Sequence, residues 1–186
     1  NTPPLGFDAL FNGKDLTGWS PSRPRPGADA QDLPTGDPRG HWTVKDGVIR
    51  YDGENGHLFT KHRYGDFILY ADWKIEPGGD SGIFPRGAPQ VQIWDINRHK
   101  EGSGGIWNNK ATGAGKDPLV PADNPPGQWN TFRIQLVGEK VTVHLNGRLV
   151  VDAAPMEKLR RGDRIIEHGP IVLQNHGHPL WFRNIY

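Results

Sequence analysis

The sequence predicts an all-β fold, two antiparallel sheets packed face to face as a jelly-roll sandwich. Three observations carry that prediction. Apolar residues recur at every second position through most of the chain. Glycine and proline, 25 and 17 of the 186 residues, are scattered between short apolar runs as turn punctuation. Helical periodicity is almost missing: only 155–161 read as one or two helical turns, with Pro155 near the start and Gly162 as the stop.

Taken in order, short strands are expected at 42–44, 48–51, 58–60, 81–84 and 91–94, around a long alternating strand at 67–75. In that long strand Phe67, Leu69, Ala71, Trp73 and Ile75 share one face, leaving Tyr70, Asp72 and Lys74 on the other. Residues 129–137 alternate likewise, with Phe132, Ile134 and Leu136 on the apolar side. Gly138-Glu139-Lys140 then turns the chain into 141–145, which predicts a hairpin. Asn146-Gly147 turns it again into 148–151, and 169–174 and 180–185 close the sequence. Residues 21–40 and 97–127 read as long surface loops, with 105–107 a candidate strand inside the second. Neither has the composition of a linker between two cores, so a single domain spanning 1–186 is expected.

Charge and composition exclude several function classes. The 22 basic and 21 acidic residues are interspersed, for a formal net charge of +1, so no stripe of cations marks a nucleic-acid partner. A denser cluster, Lys158, Arg160, Arg161 and Arg164, is interrupted by Glu157 and Asp163 and reads as a solvated helical turn. No run approaches the roughly 20 apolar residues of a membrane span. Cysteine is absent, so there is neither a disulfide framework nor a thiolate site. The chain starts at Asn1 without a basic-then-apolar leader, as a mature exported protein would; a bacterial periplasmic or secreted location is expected. The oligomeric state is left open.

A series of short motifs runs through the chain in order. Phe11-Asn-Gly-Lys-Asp-Leu-Thr-Gly-Trp19 opens it, and Tyr64-Gly-Asp-Phe67 leads into the long strand. Asp80-Ser-Gly-Ile-Phe-Pro-Arg86, Val91-Gln-Ile-Trp-Asp95, Gly127-Gln-Trp-Asn130 and Leu145-Asn-Gly147 follow. Gly169-Pro-Ile-Val-Leu-Gln-Asn-His-Gly177 and Phe182-Arg-Asn-Ile185 end it. Each is weak alone; in this order, from about Phe7 to Ile185, they resemble the 3-keto-disaccharide (3-keto-glycoside) hydrolase domain family. The resemblance implies a concanavalin-A-like sandwich of the lectin/glucanase type. It also implies a carbohydrate partner, a glycoside whose C3 hydroxyl a separate dehydrogenase has oxidised to a ketone. At two positions this chain departs from the family pattern: Asp80 stands where many members have Asn, and Gln90 where many have Glu.

A C3 ketone acidifies the proton on C2, so a base can remove it and the C1 oxygen can leave by elimination, with water adding afterwards. That chemistry needs a base near C2, a group to stabilise the enolate oxygen, and an acid for the leaving group. Alternation predicts an outward polar set that would serve: Asp72, Lys74, Arg86, Gln92, Trp94, Gln174 and His176. His176 is the candidate acid/base, because imidazole titrates near neutral pH. Lys74 and Arg86 are candidates to stabilise an enolate or orient hydroxyls, with salt bridges to Asp72 as the alternative. Gln92 and Gln174 would bond sugar hydroxyls or satisfy a sheet edge. Trp94 and Trp107 would stack on pyranose faces or pack, while Trp73 and Trp129 are assigned to the core. Asp95 is read equally as a base, a calcium-type ligand or a turn residue. His57, His176 and His178 are candidate ligands of a divalent metal ion, but no His-x-x-x-His spacing supports one, so a metal cofactor is left open.

The leading reading is therefore an enzyme that cleaves 3-keto-glycosides. A non-catalytic carbohydrate-binding module on the same sandwich is the alternative, and a glucanase acting on unoxidised glycans ranks third. Lys74, Arg86, Asp95 and His176 converging in one pocket would favour the enzyme; a flat aromatic strip would favour the module.

Overall fold

The alternating segments form strands almost where the pattern places them. The computed structural model describes residues 1–23, 35–37, 39–54, 56–161 and 164–186, the side chains of 160, 161 and 164 apart. Fourteen strands are described: β1 Trp19–Ser20, β2 Trp42–Lys45, β3 Val48–Tyr51, β4 Leu58–Thr60, β5 Phe67–Ile75, β6 Asp80–Phe84 and β7 Val91–Trp94. The remainder are β8 Asn130–Val137, β9 Lys140–Leu145, β10 Arg148–Pro155, β11 Arg160–Arg161, β12 Arg164–Ile165, β13 Val172–Leu173 and β14 Leu180–Arg183. Seven of them make one sheet in the order β10-β9-β8-β5-β14-β3-β2, five make a second in the order β1-β4-β13-β6-β7, and β11-β12 form a small ribbon. Every paired strand runs antiparallel to its neighbours.

The inward halves of the two sheets enclose one apolar core. From the larger sheet come Leu69, Ala71, Trp73, Phe132, Ile134, Leu136, Val143 and Phe182; from the smaller come Leu58, Ile83, Val91, Ile93 and Leu173, all at most 1% exposed. Each fully buried Val, Leu, Ile or Phe among them contributes about 1.5–3 kcal/mol. Two hairpins close through two-residue turns with positive φ at both positions, Asp46 (54°) with Gly47 (73°) and Asn146 (51°) with Gly147 (80°). That backbone matches the right-handed twist of the flanking strands.

The segment 155–165 differs from the expected helix. Strand β10 runs on to Pro155, a single 3₁₀ turn follows at Glu157–Leu159, and β11 and β12 pair as a ribbon. Strand β10 is an edge of its sheet, where a residue without an N–H costs no ladder bond. Met156 and Leu159 are then drawn into the core at 2% and 0% exposure. The stop expected at Gly162 lies outside the described residues.

Candidate active site

The outer face of the five-stranded sheet is built by the residues that alternate with its core positions. Leu58, Leu173, Ile83 and Ile93 point inward, and β13 pairs Val172 with Phe59 on one side and with Phe84 on the other. Strand β7 adds Trp94 opposite Asp80 and Gln92 opposite Gly82. Three rows result across the strands. Phe59, Val172 and Phe84 form an apolar row; His57, Gln174, Gly82 and Gln92 form an amide row; His176, Asp80 and Trp94 form the third.

The amide row is a closed hydrogen-bond network. Gln90, Gln92 and Gln174 are only 5%, 3% and 9% exposed, so their amides need protein partners. Gln90 Nε2 donates to Gln92 Oε1 at 2.7 Å, to Gln174 Oε1 at 2.8 Å and to the Ser81 carbonyl at 3.1 Å. Its two N–H groups are thus shared among three acceptors. Gln92 Nε2 donates to Asp80 Oδ1 at 2.7 Å, and the other oxygen of Asp80 lies 3.6 Å from His176 Nδ1. Hydrogen bonds therefore link Gln174, Gln90, Gln92 and Asp80, and a 3.6 Å contact, too long for a hydrogen bond, carries the series on to His176. The solvent-facing end of the series is the half-exposed imidazole of His176, with Asp80 27% exposed behind it. Gly82 makes the network possible: a Cβ there would stand 2.5 Å from Gln90 Nε2 and 2.6 Å from its Cγ.

His57, the residue before β4, joins the face. Its Nδ1 accepts the main-chain N–H of Asn175 at 2.9 Å, and its ring lies 6.0 Å from Phe59 and 5.8 Å from Phe84. Burial, and then the neighbouring His176, hold its basicity below the usual imidazole range.

The opposite end of the face is aromatic. Trp94 stacks on His99 with ring centroids 4.3 Å apart and meets Trp107 edge-on at 5.3 Å. Trp107 is 40% exposed. Its segment lies along the free edge of β7: Ile106 bridges Val91, Gln92 exchanges main-chain bonds with Gly104 and Gly105, and the Trp107 N–H reaches the Gln90 carbonyl at 3.2 Å. The candidate strand at 105–107 is thus a one-bridge extension of the sheet. Beyond it, Glu157 gathers the N–H groups of Lys110, Ala111 and Thr112 and the Thr112 hydroxyl at 2.6–3.0 Å. The Thr112 hydroxyl and these main-chain bonds pull the Glu157 carboxyl down to about 2.

Several candidates predicted for one surface lie elsewhere. Asp72 and Lys74 do point outward, but from the seven-stranded sheet, on the far side of the molecule. Asp72 accepts from Thr131 Oγ1 at 2.6 Å, Asn184 Nδ2 at 2.8 Å and Arg183 Nε at 3.2 Å. Lys74 Nζ sits over Trp181 at 4.6 Å and Trp129 at 5.3 Å, and Arg183 covers Trp129 at 4.1 Å. Trp129, expected in the core, therefore lies on this outer face; Trp73 is in the core as expected.

Arg86 does not face outward, because β6 ends at Phe84 and Pro85 cannot continue the ladder. Its side chain is 1% exposed and ties Asp66 at 2.6 Å to the carbonyls of Gly65 and Gly138, both at 2.8 Å. Asp95 is the turn residue among its three readings, accepting the N–H groups of Gly78 at 2.7 Å and Asn97 at 2.8 Å. The four groups named as a converging pocket are thus dispersed, and His176 alone of them is on the glutamine face. His178 turns back on the His176 carbonyl, 3.1 Å away. Among the described residues no group of three or more His, Asp or Glu is arranged to hold a metal ion.

Gln92, Trp94, Trp107, Gln174 and His176 do come together. The face also contains His57, Asp80 and Gln90, to which the sequence reading gave no role in sugar chemistry. The signal was available: Leu58 is apolar and inward, so its neighbours His57 and Phe59 had to face out.

An antiparallel two-sheet sandwich with this polar, tryptophan-edged face is a jelly roll of the lectin/glucanase class. Residues 6–186 match the model of the 3-keto-alpha-glucoside-1,2-lyase-like domain, and the chain belongs to that family. A 3-keto-disaccharide hydrolase of Bacteroides thetaiotaomicron is 26% identical across 97% of this chain and 77% of its own length. A solved structure from Parabacteroides distasonis, provisionally named a glycosyl hydrolase, is 27% identical and superposes with a TM-score of 0.68 over 95% of this chain and 80% of its own. A non-specific endo-beta-1,3(4)-glucanase, 15% identical, shares the fold with a TM-score of 0.53 over 100% of this chain and 96% of its own.

Proposed function

We propose that this chain is a carbohydrate-active hydrolase that cleaves 3-keto-glycosides on the outer face of its five-stranded sheet. The observation that carries the proposal is the chain of contacts from Gln174 through Gln90, Gln92 and Asp80 to His176. A carboxylate near an imidazole, as Asp80 is near His176, stabilises the imidazolium formed when the ring takes a proton. In this reading His176 removes the C2 proton. The C2–H electron pair becomes a C2=C3 bond and the carbonyl pair moves to O3. When the carbonyl re-forms, the pair shifts to C1=C2, and the C1–O bond breaks with its electrons on the leaving oxygen. That oxygen takes the proton from His176, and water adds across C1=C2 to complete net hydrolysis.

The remaining groups suit a sugar. Gln174 keeps amide capacity at the edge of the network for ring hydroxyls, Gln92 fixes the Asp80 carboxylate, and Trp107 offers an aromatic wall to a pyranose ring, with Trp94 packed behind it. An ordinary glycosidase needs two carboxylates flanking the scissile bond. Among the described residues the network holds one, Asp80, which favours the keto-sugar route over the glucanase reading. Family membership and the name of the Bacteroides thetaiotaomicron relative support the same substrate class.

The test is incubation with 3-keto-trehalose or a 3-keto-glucoside beside the unoxidised sugar, with and without EDTA. Release of 3-keto-glucose from the oxidised substrate alone is expected. Saturable binding without release would point instead to a carbohydrate-binding module. His176→Ala is expected to lower kcat by roughly 10²–10⁴ with the fold retained; unchanged turnover would remove His176 from the mechanism.

A further inference from the structure

The two imidazoles of this face stand in opposite surroundings. His176 Nδ1 looks toward a carboxylate, Asp80 Oδ2, at 3.6 Å. His57 Nδ1 instead accepts a main-chain N–H, that of Asn175, at 2.9 Å. A lone pair used in this way leaves the neutral ring only one place for its proton, Nε2. Adding a second proton would set an N–H against an N–H, so this ring is built to remain neutral and to donate. Burial beside Phe59 and Phe84, and the proximity of His176, press in the same direction. Among the described residues no side chain or carbonyl accepts from His57 Nε2, although the ring lies one alternation step from the buried Leu58, on the face that carries Gln174.

We infer that His57 is a catalytic residue, the neutral hydrogen-bond donor to the C3 oxygen of the substrate. This assignment rests on the 3-keto-glycoside reading and deepens it. As His176 takes the C2 proton, negative charge gathers on O3, and the His57 Nε2–H hydrogen bond strengthens without transferring its proton. A neutral imidazole can serve this role because charge that develops in a partly buried site is stabilised by a donor already oriented toward it. The division of labour follows from the two Nδ1 partners. The ring backed by a carboxylate accepts the proton, and the ring backed by an amide N–H holds the oxyanion.

The experiment separates enolisation from cleavage. A 3-keto-1,5-anhydro sugar has no exocyclic leaving group at C1, so in deuterated water it reports only exchange of the C2 proton. Wild-type protein is expected to exchange C2–H in this probe and to cleave a 3-keto-glucoside. His57→Phe should lose both activities by about 10²–10³-fold in kcat with KM little changed. His57→Gln, which keeps an N–H at similar reach, should recover most of the exchange. Thermal melts of both variants establish that they are folded. Wild-type exchange by His57→Phe, or loss of cleavage with exchange intact, would overturn the assignment. A wild-type protein that neither exchanges nor cleaves would overturn the keto-sugar reading itself, and this assignment with it.

Discussion

A methyl group at position 82 would lie 2.5 Å from Gln90 Nε2, closer than any relaxed structure allows. Glycine stands there because the Gln90 side chain lies across β6 to reach Gln174. Gly82→Ala is expected to cost about 1–3 kcal/mol in a urea melt, the usual penalty for overpacking, and to lower kcat/KM on a 3-keto-glycoside. The cause is checked by a double-mutant cycle with Gln90→Ala, in which a coupling of at least about 0.5 kcal/mol is expected. Strictly additive costs would mean that the two side chains do not compete for this space. At this scale the sequence was half legible. Gln92 and Gln174 were readable as outward residues from their inward neighbours. Gln90 and Asp80 registered as departures from a family pattern, because what they do depends on strands far apart in sequence meeting over a glycine. Arg86 was misplaced for a local reason, since one proline ends the strand on which its direction depended.

In the loop beyond Trp107 one carboxylate gathers three successive main-chain N–H groups. Glu157 sits after the edge strand β10 and accepts four bonds from 110–112. Its carboxyl is lowered from the ordinary 4.5 to about 2, so the folded protein binds this proton less readily than the unfolded chain. The anchor is therefore complete above pH 4.5 and is lost as the pH falls through about 2. Amide chemical shifts of 110–112 should follow that titration. Glu157→Gln should accelerate hydrogen exchange at the same three amides at neutral pH and raise KM more than it lowers kcat. Equal exchange in the variant would show that the Glu157 carboxylate does not protect these amides. None of this was visible in the sequence, where 155–161 read as a helical turn. Proline near the start and a basic tail fit a helix locally, and only the position of β10 at a sheet edge makes the strand acceptable.

Across the whole molecule, period two told inside from outside wherever a strand continued, but not one outside from the other. Lys74 and His176 are both outward, on opposite faces of the sandwich, because β5 and β13 belong to different sheets. Pairing order is a property of long-range contacts, and alternation within a strand carries no record of it. The two faces should accordingly be separable. Lys74→Ala is expected to leave turnover unchanged and to cost at most about 1–2 kcal/mol of stability for the lost cation–π contacts with Trp129 and Trp181. A folded Lys74→Ala protein without turnover would show that the far face takes part in the reaction. The glutamine face has one further property, which follows from how its aromatic end is attached. Residues 104–107 are laid against β7 by main-chain bonds, so the position of residue 107 does not depend on which side chain it carries. The indole there is an exchangeable fitting on a fixed rail. In the proposed sugar site, a single codon at that position would be expected to change the preference without re-laying any strand.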